Sequence, residues 1–75
     1  MTELAHRDAH LTAEDIARRL AAIHAASDDP EAAHGLVDDL HLDVLATIAA
    51  GAPDAPLLAA AALRTETISF PRWCA

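Results

Sequence analysis

The sequence predicts a small all-α protein, a three-helix bundle closed by an aromatic C-terminal tail. Three observations predict it. Twenty of the 75 residues are alanine, the strongest helix former. Apolar residues recur every three or four positions in two separate stretches. Helix start and stop signals bracket those stretches.

The first helix is expected over 13–26. Thr12 has the chemistry of an N-cap, and Asp15 three residues on stands where a capping box places Glu. Leu11 before the cap and Ile16 after it have the spacing of a hydrophobic staple. Ile16, Leu20 and Ile23 then mark the buried face, with Arg18 opposite. The helix should end near Ser27-Asp28.

The second helix is expected over 30–50. Asp29 caps, Pro30 takes the first helical position, and Glu31 complements the helix dipole. Ala33, Val37, Leu40, Val44 and Ile48 share one face, flanked by Leu36 and Thr47 on one side and His41 on the other. Gly35 is a weak point, but the apolar face stays in phase across it. Gly51 is the natural C-cap. Leu42 and Leu45 fall off the stripe, which calls for a second buried face or a contact with a partner.

Ala52-Pro53-Asp54-Ala55-Pro56 reads as a turn in which Asp54 caps a third helix over 55–65. That helix is Leu and Ala around nearly its whole circumference, so little of it is expected to face water. Beyond it, 66–70 reads as extended and 71–74 as a single turn, because Pro71 disfavours α geometry at Phe70. Residues 1–11 read as a flexible arm, and 12–75 as one helical domain.

Composition narrows the function classes. The net charge is -7, with five arginines and no lysine. Such a balance opposes binding to nucleic acid or to anionic membranes. It permits a basic protein partner or mimicry of nucleic-acid charge, although the carboxylates form no visible row. A single cysteine, Cys74, allows no internal disulfide and reads as an inert thiol or, failing that, an intermolecular bridge. The first residues lack the basic and apolar regions of a signal peptide, and no apolar run reaches membrane-spanning length, so the expected location is cytoplasmic. An alanine-rich domain of this size has a thin core. A homodimer or a hetero-complex is therefore as reasonable an expectation as a monomer.

Catalysis has little support. There is no Gly-rich phosphate loop and no serine in a nucleophile-elbow pattern. A chain this short also encloses a substrate pocket with difficulty. The expectation is a non-enzymatic protein that carries no cofactor. Residues 11–20 resemble the opening helix of helix-turn-helix regulators, but the likeness fails after Leu20, and Asp38, Asp39 and Asp43 on the next helix would repel phosphate.

Two constellations remain. Glu31, His34, Asp38 and His41 lie on one helical stripe, and His34, Asp38 and His41 are the candidate metal ligands for zinc or another transition metal. The set is incomplete within one chain, and the alternative is a polar border of local ion pairs. His6 and His10 could chelate only if the arm were helical. The second constellation is the candidate partner-binding set: Phe70, Arg72 and Trp73 in the tail, types enriched at interface hot spots, together with Leu42 and Leu45. The competing expectation for the tail is that Ile68, Phe70 and Trp73 fold back onto the thin core.

Asp29-Pro30-Glu31-Ala32-Ala33-His34, the Asp43-Val44-Leu45 step followed by Ile48-Ala49, and the ending Phe70-Pro71-Arg72-Trp73 resemble short acidic reading frames of high-GC bacteria and their phages. The likeness covers 12–75. It implies no activity and no functional residues. It favours a phage or mobile-element protein that acts by binding a host protein.

Overall fold

The computed structural model describes residues 9–70. It contains helices α1 (Ala13–Ala25), α2 (Pro30–Ala49) and α3 (Ala55–Leu63), followed by a 3-10 turn, Arg64–Thr67. Each helix packs against the other two, so the all-α three-helix bundle expected from the sequence is the fold. None of the helices among the described residues is long and apolar enough to cross a membrane.

The start of α1 is the capping box. Thr12 Oγ1 accepts the Asp15 N–H at 3.1 Å, and Asp15 Oδ2 accepts the Thr12 N–H at 2.9 Å. Arg18 bonds the other carboxylate oxygen of Asp15. The Thr12 backbone N–H and then the Thr12 hydroxyl outweigh desolvation and, with the Arg18 charge, hold the Asp15 carboxyl below its ordinary range. A lowered carboxylate favours the folded state above its unfolded pKa, and that contribution is lost as pH falls through the folded value. Leu11 and Ile16 enter the same core, as a staple requires.

Leu11 corrects one boundary. Its N–H donates to Thr47 Oγ1 at 3.1 Å, and that hydroxyl donates to the Asp43 carbonyl at 2.9 Å. Leu11 is thus part of the folded body rather than the last residue of an arm. Residues 1–8 lie outside the described residues.

Helix α2 opens as expected, with Asp29 Oδ1 accepting the Ala32 N–H at 3.3 Å and Pro30 where no N–H is needed. Ala33, Val37, Leu40 and Val44 are buried, and Ile48 packs half-buried beside them. The helix ends in a Schellman motif. Gly51, at φ 98°, donates to the Ile48 carbonyl at 2.9 Å, and Ala52 donates to the Thr47 carbonyl at 3.3 Å. The helix runs unbroken through Gly35, which is exposed, and a Cβ built there meets nothing within 4 Å. Gly35→Ala is therefore expected to stabilise the fold by about 0.5–1 kcal/mol, because alanine loses less backbone freedom on folding. Urea unfolding checks this, and a lowered midpoint would contradict it.

The third helix departs from expectation in three ways. Asp54 precedes it, but the Asp54 side chain makes no cap bond; its carbonyl accepts the Leu58 N–H instead. The α-helix stops at Leu63, and 64–67 tighten into the 3-10 turn, where Thr67 Oγ1 bonds the Arg64 carbonyl at 2.7 Å. Such local side-chain bonds compete with the helical ladder. Glu66 and Thr67 are therefore not extended; extended backbone begins at Ile68. Finally, only Leu58 and Ala62 of α3 are buried, while Leu57 and Leu63 are 59% and 66% exposed. The bundle has three members, so a helix that touches two others still keeps an outer side. Ile68 and Phe70 return to the core, as the fold-back expectation required of them. The turn expected at 71–74 lies outside the described residues.

Candidate interaction face

The bundle leaves an uncharged face. From Val44 to Pro53 and from Ala55 to Leu63 the chain carries no ionisable residue. These two stretches are the last turns of α2 with the turn that follows it, and all of α3. The Gly51 cap ends α2, and the two helices pack against each other. Between them runs an apolar groove of about 310 Å³, lined by His41, Val44, Leu45, Ile48, Ala59, Ala62 and Leu63. Ala59 and Ala62 make it by being small. Leu45 and Leu63 stand up at its edges, 60% and 66% exposed. Leu42, 48% exposed, lies one step further round α2.

Leu42 and Leu45, named from the sequence as off-stripe residues, are therefore exposed, and no helix among the described residues covers them. Phe70 is not. It is buried in the core, so its place in the partner-binding set is corrected: a thin alanine-rich core draws in the ring. Arg72 and Trp73 lie outside the described residues, as do Cys74 and His6.

The candidate metal ligands are not brought together. His34 Nε2 pairs with Asp38 Oδ2 at 3.2 Å, one turn along the helix. His41 Nε2 turns the other way and hydrogen-bonds Thr65 Oγ1 at 3.1 Å. Thr65 is wholly buried on the 3-10 turn, so the imidazole ties α2 to the chain that follows α3. Among the described residues no three His, Cys, Asp or Glu side chains gather to hold an ion. His10 sits outside the helices and is exposed. The stripe holds one local pair, His34 with Asp38, while His41 joins α2 to Thr65 instead.

One polar contact was not anticipated. Asp43 is buried and binds Arg19 of α1 through Arg19 NH1 and Asp43 Oδ2 at 2.7 Å. Its signal lay in the spacing: Asp43 is three residues after Leu40 and four before Thr47, so the carboxylate sits within the buried face and calls for a cation. The matching cation had a signal too: Arg18 lies opposite the buried face of α1, whereas Arg19 is three residues after Ile16 and four before Ile23.

No family model matches the chain, and no curated protein or solved structure is similar to it.

Proposed function

We propose that this is a non-enzymatic protein-interaction module that binds through the uncharged α2–α3 face. The observation that carries the reading is the pair of leucines, Leu45 and Leu63, standing exposed on either side of an apolar groove. Burying a leucine fully is worth about 1.5–3 kcal/mol relative to leaving it in water. A fold of this size gives up a sizeable fraction of its possible stability by leaving several exposed. An apolar patch of this kind on a small domain is a binding surface by default. The likeness to short acidic phage frames fits a chain whose work is to bind another protein.

The test is capture from cells that express the full chain in both a tagged and an untagged form, compared with Leu45→Glu and Leu63→Glu made in both forms. The expected result is that a specific protein, whether another chain or a second copy, is retained by the wild type and lost from both variants. Helical circular dichroism should stay unchanged, because both residues are exposed. Retention of nothing, or of the same proteins by all three, would sink the reading.

A further inference from the structure

We infer that the occupant of the α2–α3 groove is a second copy of this chain, which makes the protein a two-fold symmetric dimer; this rests on the proposed interaction face and names its partner. The argument begins with charge. The chain carries twelve carboxylates and a net charge of -7, so two copies repel each other over most of their surfaces. They can meet without placing like charges together only where charges are absent. The last six residues of α2, the turn after it and α3 are such a region: nineteen residues, 44–53 and 55–63, with Asp54 alone between them. A basic protein would be drawn elsewhere, to Glu31, Asp38 and Asp39 on the first half of α2, since it finds no carboxylate along the groove.

Shape points the same way. A two-fold interface requires one patch to be complementary to itself, so that a ridge on each copy enters a groove on the other. Both parts are present in one patch here. Leu45 and Leu63 are the ridges, and the groove floor between them is made of Val44, Ile48, Ala59 and Ala62. Alanines on the floor let a second helix pair approach closely. Placed antiparallel, the two helix pairs would make a four-helix layer with leucines interdigitated across the axis.

Size sets the strength. The contributing parts of α2 and α3 are only about 9 and 14 Å long at 1.5 Å per residue. The buried area is then several hundred Å² per copy, at or below the roughly 800 Å² per partner of a standard interface. The dimer should accordingly dissociate in about the micromolar range.

Sedimentation equilibrium of the purified full chain, from about 1 to 200 μM, tests this. The wild type is expected to pass from its 7.9 kDa monomer to twice that mass within the range. Leu45→Glu places two new carboxylates at the axis, and Leu63→Glu does the same from α3. Each should raise the dissociation constant at least about 100-fold. Ala32→Glu adds an equal charge on the exposed first half of α2 and should leave it within about threefold. A wild type that is monomeric throughout would overturn the inference, as would dimers that survive both leucine variants or are lost equally with Ala32→Glu. A monomeric chain that still captures a different protein through Leu45 and Leu63 would overturn the dimer alone and leave the interaction reading standing.

Discussion

Leu58→Ala is expected to lower the unfolding free energy by about 2–5 kcal/mol, on the order of half of what this chain has. A protein of 75 residues has on the order of 4–11 kcal/mol to lose. Leu58 has no exposed surface and is the one large side chain that α3 commits to the core; its buried companion Ala62 supplies a single methyl group. Truncation removes the transfer energy of the side chain and leaves a cavity. The neighbours along α3 are mostly alanines, which have no rotamers with which to collapse into it. The adjacent Leu57 provides the contrast, since it is 59% exposed. Leu57→Ala, measured at concentrations where the chain is monomeric, should change stability by only about 0.5 kcal/mol. Urea unfolding followed by circular dichroism reads both. Equal effects at 57 and 58 would mean that α3 is rotated about its axis.

Arg19→Met is expected to destabilise by about 1–3 kcal/mol, while Arg18→Met changes little. The two arginines are neighbours in sequence and differ in what they face. Arg18 is largely exposed and pairs with Asp15 on its own helix, a contact that solvent screens and that contributes little. Arg19 reaches from α1 to Asp43, whose side chain is 12% exposed. Removing the guanidinium takes a charged partner from a carboxylate that is nearly buried, which costs more than the pair itself contributes. The estimate is kept below the cost of breaking a wholly buried pair because the Arg19 side chain is itself 30% exposed. The Asp43→Asn variant should be milder than Arg19→Met, since it removes the charge that needs compensation. A reversed order would show that the Asp43 carboxylate matters through something other than Arg19.

Much of the fold was legible because its signals are local. Thr12 with Asp15, Asp29 with Pro30, and Gly51 each act within a few residues, and the helix starts and the α2 stop fell where those residues stand. What could not be read depended on packing between helices. The apolar pattern of α3 runs all the way round, so nothing in it distinguishes Leu58 from Leu57. The early end of α3 goes with a local bond from Thr67 to the Arg64 carbonyl and with the bond between Thr65 and His41, which only the folded chain offers. The candidate site was legible in part for the same reason. Leu42 and Leu45 announced themselves by breaking the α2 stripe, whereas Leu63, Ala59 and Ala62 become part of a groove only when α3 lies beside α2. Phe70 misled because an aromatic residue near the end of a chain serves a core and an interface equally well by composition.

The bond from the Leu11 amide to Thr47 joins residues 36 apart in sequence. Most other backbone amides of the bundle are held by carbonyls a turn away, inside one helix, and can stay protected while that helix alone persists. The Leu11 amide has no such local refuge. It is covered only while the segment entering α1 lies against the far end of α2, across the whole intervening chain. Its hydrogen exchange therefore reports the closure of the bundle as a unit, separately from the melting of any one helix, and makes a single amide a gauge of cooperativity in a chain with very little core to enforce it.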